Sequence, residues 1–172
     1  GLVVKPAHDG SSIGVTKLAE PTVAALRKAL EDAAGVRGDE VLVEEYIHGR
    51  EFTVAVLDGR ALPVIEIRAP EGDYDFNNKY FGDAVHYDCP AKLEDEAAAT
   101  LGSLCERAFA AVGARGWSRI DALQRADGSF ALLEINTSPG MTPHSLVPMA
   151  ARAVGMDYAD LCLKVLSLAR CD

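Results

Sequence analysis

The stretch "RIDALQRADGSFALLEIN", Arg119 to Asn136, limits the possible folds more than any other part of this chain. It reads as two β-type runs on either side of Asp127-Gly128, a dipeptide suited to two-residue hairpin loops because both residues tolerate positive φ. Such a loop pairs Ala126 with Ser129. Counting back along the ribbon then sets Asp121 opposite Glu134 and Arg119 opposite Asn136. Directly opposed residues share a face with Cβ atoms about 4.5–5.5 Å apart, and like charges there are destabilising. Three readings account for two facing carboxylates. The pair is solvent-exposed and tolerated; or the loop holds three residues and the contact is diagonal; or a cation lies between them. Magnesium takes oxygen ligands, usually one or two carboxylates completed by phosphate oxygens of a substrate. Asn136 projects from the face of Glu134 and adds a carbonyl oxygen. Arg119, on that face too, offers a rigid positive fork suited to phosphate or to a developing anion.

The remaining pattern alternates hairpin-linked strands with helices. "GLVVKP" reads as a strand closed by Pro6, followed by the loop "AHDGSSIGV". "AEPTVAALRKALEDAAG" reads as a helix with an early Pro21 and a terminal Gly35. "EVLVEEYI" and "EFTVAVL" are strands, and "RALPVIEIR" is a third after an Asp58-Gly59 turn. "APEGDYDFNNKYFGDAVHYDCP" has no periodicity and reads as a long loop of the kind that forms functional lids. "KLEDEAAATLGSLCERAFAAVG" is an amphipathic helix; helical "LVPMAARAVG" and "DYADLCLKVLSLAR" close the chain. This order predicts an α+β fold over a parallel α/β sheet.

Composition removes several classes of function. The chain has 172 residues, is 49% hydrophobic and carries a formal charge of −9 with 6% aromatics, so it lacks the basic footprint of a nucleic-acid surface. No apolar run approaches the ~20 residues of a membrane span, which predicts a soluble protein without a membrane partner. The four cysteines are scattered without a C-x-x-C pair and read as free thiols of a reducing compartment; the four histidines show no ligand spacing, so zinc is not expected. The sequence begins inside a strand with neither an initiator Met nor a signal peptide, and reads as a piece of a longer protein.

Other stretches carry weaker signals. In "HDGSSIG", Gly10 and Gly14 permit close backbone approach, while Ser11 and Ser12 offer donors to a phosphate. The loop lacks the G-K-[ST] ending of a Walker A motif. Lys5 ends the strand before it and points at the same phosphates, unless it is simply a surface lysine. "VLVEEYIHGREF" ends a strand edge in carboxylates, able to bond an adenine amino group and ribose hydroxyls or only to be solvated. "FNNKYF" puts Lys79 and Tyr80 in the long loop, where a cation could close over phosphates. "NTSPGMTPHSLVP" sets Gly140 ahead of a helix starting near Ser145, which is an anion site or merely an N-cap.

In their order along the chain, "VVKPAHDGSSIGV", "LVEEYIHGREFTV", "NNKYF", "CPA", "GWSRIDAL" and "LLEINTSPGMTPHSLVPMAA" resemble the D-alanine–D-alanine ligases of the ATP-grasp superfamily, from Gly1 to about Arg170. The resemblance implies the C-terminal portion of an ATP-grasp fold, with residues 1–47 the latter part of the nucleotide-binding subdomain and 48–172 the catalytic subdomain. It implies that Lys5, Ser12 and Lys79 serve the ATP phosphates, that Glu44, Tyr46 and Ile47 line the adenine pocket, and that Glu51 binds ribose. Asp121, Glu134 and Asn136 would hold two magnesium ions, with manganese a substitute. Arg119 and the Gly140 amide would stabilise an oxyanion, Ser145 and Leu146 would receive the second D-alanine's carboxylate, and Ser11 and Tyr80 would order the lid.

The same resemblance implies ATP and two D-alanine molecules as substrates and a role in peptidoglycan synthesis. It also implies an N-terminal domain absent from these 172 residues, a homodimer when full length, and no competent ligase in the fragment alone. Relatives that make D-alanyl-D-lactate or D-alanyl-D-serine share most of these residues, but their lid usually lacks the Lys-Tyr pair of "NNKYF". Another ATP-grasp carboxylate–amine ligase would keep the acidic hairpin and lose "NTSPGMTPHS". A non-catalytic nucleotide-binding module would be expected to break the Asp-Glu-Asn set.

Overall fold

The computed structural model describes residues 1–8, 10, 12–37, 40–68 and 85–170. Ser11, Lys79 and Tyr80, and with them the expected lid, lie outside the described residues. Contacts divide the chain into two compact units, Gly1–His48 and Gly49–Arg68 joined by the chain from His86 onward.

In the first unit, β1 (Leu2–Pro6) lies between β2 (Thr16–Leu18) and β3 (Val41–Glu45), all antiparallel. Helix α1 (Val23–Arg37) covers the sheet through Ala29 and Ala33, which pack on the fully buried Val4. The α1 boundaries differ from the sequence expectation. Thr22 caps the helix, its hydroxyl accepting from the Ala25 amide at 3.1 Å, so Pro21 precedes the cap and does not belong to the first turn. Gly35 falls within α1, which runs on to Arg37; its loss of about 1 kcal/mol relative to alanine is too small to end a helix already fixed by packing. Strand β2, three polar-rich residues long, had no periodicity to reveal it.

The second unit is a sheet ordered β7-β6-β4-β8-β9, with β5 on β4. Its strands are β4 (Glu51–Leu57), β5 (Arg60–Ala61), β6 (Ile65–Arg68), β7 (His86–Asp88), β8 (Trp117–Gln124) and β9 (Phe130–Asn136). The run "RALPVIEIR" is broken into β5 and β6 because Pro63 has no N–H for a ladder. The expected long loop ends in β7, too short at three residues to show alternation.

Strand β4 is buried from Phe52 to Leu57 because both faces of the sheet are covered. Phe52, Val54 and Val56 meet Leu101, Cys105 and Phe109, a stripe on α2 (Asp95–Ala111). Ala55 and Leu57 meet α3 (Leu146–Ala153) and α4 (Tyr158–Leu168) through Val147, Ala150 and Leu161. Burial pushes the Cys105 thiol up to about 12, so it remains protonated and behaves as a small apolar residue.

One brace ties the start of β4 to β6. Arg50 grips Glu66 with two bonds of 2.8 Å, donates to the Lys92 carbonyl, and lies over the Phe52 ring. The Arg50 hydrogen bonds hold the Glu66 carboxyl below its ordinary range, against the opposing effect of burial. A carboxyl whose folded pKa is depressed stabilises the fold above its unfolded value of about 4.3 and loses that contribution as pH falls through the lower folded value. Glu66→Gln is therefore expected to destabilise the protein by about 1–3 kcal/mol at neutral pH. Below about pH 4 the gap between the variant and wild type should close, as read by urea denaturation across pH.

Candidate active site

The carboxylates face each other as expected, but by a different route. Arg119 pairs with Asn136 and Asp121 with Glu134, while Ala122 pairs with Leu132 and Gln124 with Phe130. The loop holds three residues, not two. Arg125 and Ser129 pair across it, Arg125 accepting from Gly128 and donating to Ser129. Only Gly128 is left-handed, at φ +86°, and the Asp127 carboxylate accepts from the Ser129 amide at 2.9 Å. That alone would slip the register by one and bring Glu134 opposite the fully buried Ile120. A β-bulge at Leu133 absorbs the slip and turns Glu134 back to the face of Asp121. Burying an unpaired carboxylate in that apolar core is costly enough to select the bulge.

The resulting cluster lies on the α3–α4 side of the sheet, where the apolar packing of Ala55 and Leu57 gives way to polar residues. Arg119 is bidentate to Asp121, Nε to Oδ1 at 2.9 Å and Nη2 to Oδ2 at 2.7 Å. Asn136 Nδ2 bridges Asp121 Oδ2 at 3.3 Å and Glu134 Oε1 at 3.0 Å, while Arg119 Nη2 lies 3.9 Å from Glu134. The Arg119 and Asp121 side chains are 15% and 10% exposed, against 52% for Glu134. One carboxylate is thus sunk in the sheet and the other reaches into solvent.

These residues fit a hard divalent cation. Two carboxylates against one guanidinium leave an excess negative charge on the face, and the Asn136 amide, turned over, presents an oxygen where its nitrogen now bridges both acids. Among the described residues no three His, Cys, Asp or Glu side chains could hold a metal by themselves. A site here would rely on Asn136 and on substrate oxygens, which is how magnesium is commonly held.

The structure brings some of the other expected residues together. Lys5 Nζ is 2.6 Å from Glu44 Oε2, so the expected phosphate lysine is tied to an expected adenine-pocket carboxylate. Tyr46 donates its amide to the Gly1 carbonyl and packs its ring at a tilt against that of His48; Ile47 follows, half-buried. Ser12 is left-handed at φ +60°, in a loop closed by the Ile13 amide on the Gly10 carbonyl. Glu51 begins β4, half-buried, in the second unit. Gly140 is exposed, its amide donating to no described residue, and a Cβ there would lie 3.1 Å from the Ser145 hydroxyl. Ser145 precedes α3, but its hydroxyl turns back to the Thr142 amide at 3.0 Å instead of capping the helix. Leu146 sends its side chain into the α3–α4 core, leaving its backbone at the helix start. Sequence reading missed Thr53, whose hydroxyl reaches Asp121 Oδ1 at 2.6 Å; a lone polar residue inside an apolar strand was the available signal.

Solved structures with a similar fold define the class. The D-alanine–D-alanine ligase of Bacillus anthracis matches with a TM-score of 0.81 and 32% identity over 97% of this chain and 53% of that one. A structure of that ligase complexed with ATP gives 0.76 and 28%, over 97% and 50%. The antiparallel sheets and flanking helices are therefore those of an ATP-grasp ligase, C-terminal portion. More narrowly, the chain belongs to the D-ala D-ala ligase C-terminus family, whose model matches residues 1–167. The D-alanine–D-alanine ligase of Bordetella petrii is 52% identical over 174 residues, 99% of this chain and 52% of that protein. That of Bordetella pertussis is 53% identical, covering 99% and 54%. The chain spans about half the length of the curated relatives it matches. Among the described residues no helix is long and apolar enough to cross a membrane.

Proposed function

We propose that this chain is the ATP- and metal-handling part of a cytoplasmic D-alanine–D-alanine ligase that supplies D-alanyl-D-alanine for peptidoglycan. The observation that carries the reading is the bulged ribbon that gathers Arg119, Asp121, Glu134 and Asn136 on one face, in a chain half identical to such ligases. Residues 1–47 are the latter part of a nucleotide-binding subdomain and 48–172 a catalytic one. An N-terminal domain completes the protein, which works as a homodimer.

In this account the carboxylate of the first D-alanine attacks the γ-phosphorus of ATP, displacing ADP and forming an acyl phosphate. Two anions must meet, and Lys5, Lys79 and the donors of Ser12 neutralise and hold the phosphates. The Tyr46 carbonyl and Ile47 backbone serve adenine beside Glu44, because the Tyr46 amide is already engaged; Glu51 takes the ribose hydroxyls. Asp121, Glu134 and Asn136 hold magnesium or manganese, which when bound neutralises and aligns the triphosphate oxygens.

The amine of the second D-alanine, in its free-base form, then attacks the acyl carbon. Its carboxylate rests against Ser145 and the Leu146 amide at the start of α3. The oxyanion of the tetrahedral intermediate is met by the Gly140 amide and by Arg119, which must loosen its fork on Asp121 to reach it. Collapse breaks the acyl C–O bond, the departing phosphate carries off the proton shed by the attacking nitrogen, and the dipeptide remains, with no side-chain nucleophile required. Ser11 and Tyr80 order the lid that keeps water from the acyl phosphate.

The test is phosphate release by the full-length protein with ATP and magnesium. D-alanine alone is expected to sustain turnover, with D-lactate or D-serine in place of the second D-alanine far poorer. Preferred formation of D-alanyl-D-lactate or D-alanyl-D-serine, or no D-alanine-dependent release, would refute the assignment.

A further inference from the structure

We propose that Thr53 is a positioning residue for the divalent-cation site, holding the Asp121 carboxylate from behind so that it meets a cation in one fixed orientation. The inference rests on the reading of Asp121 as a metal ligand.

Strand β4 explains why a threonine here calls for a reason. From Phe52 to Leu57 the strand is buried on both faces, and its other residues in that span are Phe, Val, Ala and Leu. Thr53 is 1% exposed. A valine would fill the same volume without a hydroxyl to desolvate, and an unbonded buried hydroxyl is destabilising by about 1–3 kcal/mol on mutational scales. The structure gives that hydroxyl one good partner. Thr53 lies directly opposite Asp121 in the β4–β8 ladder and donates to Oδ1 at 2.6 Å, a length typical of a charge-assisted O–H···O⁻ bond. The alternative acceptor, the Ile120 carbonyl, is 3.4 Å away.

The other groups bonded to Asp121 have further work in the reaction. Arg119 must turn towards the oxyanion, and Asn136 must present its oxygen and not its amide hydrogens. Thr53 has no such duty. Its β-branched side chain is stiff at χ1 and enclosed by the sheet, so it can keep its bond while the partners around it exchange. A carboxylate with one permanent donor loses little freedom when a cation arrives, which favours binding.

Binding of Mn2+, read by electron paramagnetic resonance of the full-length protein with a non-hydrolysable ATP analogue, tests this. Thr53→Val is expected to weaken Mn2+ binding about 10- to 100-fold, the usual effect of removing a partner of a metal ligand. Thr53→Ser, which keeps the hydroxyl, should restore most of it. In turnover the Thr53→Val defect should appear as a raised magnesium requirement with the KM for D-alanine unchanged. Should Thr53→Val fail to fold by circular dichroism, Thr53→Cys, with its weaker donor, is measured the same way and should show a smaller loss. Wild-type Mn2+ affinity in the folded Val or Cys variant, or an equal loss in Thr53→Ser, overturns the proposal. Asp121→Asn separates the two claims. If it loses Mn2+ while Thr53→Val does not, only the role of Thr53 falls; if it binds Mn2+ as wild type does, the metal site itself is misread and both fall.

Discussion

Alanine in place of Asp121 is expected to reduce ligase turnover by at least about 10²–10³-fold, the effect of removing one preorganised charge-stabilising group, and to weaken the fold as well. The two losses have separate causes. Asp121 is 7% exposed and its carboxylate is forked by Arg119, itself largely buried. Deleting the acid removes both bonds of that fork from a guanidinium only 15% exposed, and breaking a buried pair in this way typically costs about 3–5 kcal/mol. Glu134 provides the contrast. Its side chain is half exposed, so Glu134→Ala should lower activity to a similar degree with little change in stability. Denaturant titrations beside steady-state kinetics distinguish the pair: equal stability losses would mean that the sheet does not hold the two acids as described.

Gly49→Ala is expected to disrupt the second unit. A Cβ at this position would lie 1.7 Å from the Gln124 carbonyl oxygen and 2.9 Å from its carbonyl carbon. Both are backbone atoms of β8, so no rotamer change relieves the contact. Gly49 is not among the left-handed glycines, and what it supplies is room. Moving the chain away would pull on the neighbouring bond from the Gln124 amide to the Arg50 carbonyl, 2.9 Å, and on the Arg50–Glu66 brace beyond it. The loss should reach or exceed the roughly 1–3 kcal/mol usual for overpacking. A denaturation midpoint equal to wild type would show that the start of β4 is looser than this packing implies.

The hairpin shows how far the sequence could be read. Asp-Gly occurs at both Asp58-Gly59 and Asp127-Gly128; it marks a hairpin turn each time, and at the second the sequence leaves loops of two and of three residues open. At the first, both residues are left-handed, φ 54° and 75°, and the loop has two residues. At the second, the Asp127 carboxylate takes the Ser129 amide, only Gly128 is left-handed, and the loop has three. The dipeptide suits both turns, and local letters do not choose between them. The facing of Asp121 and Glu134 was nevertheless read correctly, because the bulge at Leu133 cancels the longer loop. That bulge answers to burial of Ile120 on the opposite face, which no run of adjacent residues encodes.

The same division holds elsewhere. The helices and long strands were legible from their periodicity, whereas β2 and β7, three residues each, are held by neighbours distant in sequence. Likewise Arg119, Asp121, Glu134 and Asn136 could be found by counting along one hairpin. Thr53, on another strand, becomes visible only once β4 is laid beside β8.

The central claim is that Asp121, Glu134 and Asn136 turn their oxygens to divalent cations. A crystal structure of the full-length protein with Mn2+ and a non-hydrolysable ATP analogue, with anomalous scattering recorded, tests it most directly. The account predicts anomalous peaks about 2.0–2.2 Å from oxygens of all three side chains, with the Asn136 amide reversed and Arg119 released from at least one Asp121 oxygen. Nucleotide bound with no peak at these oxygens, and Arg119 still forked on Asp121, would contradict it.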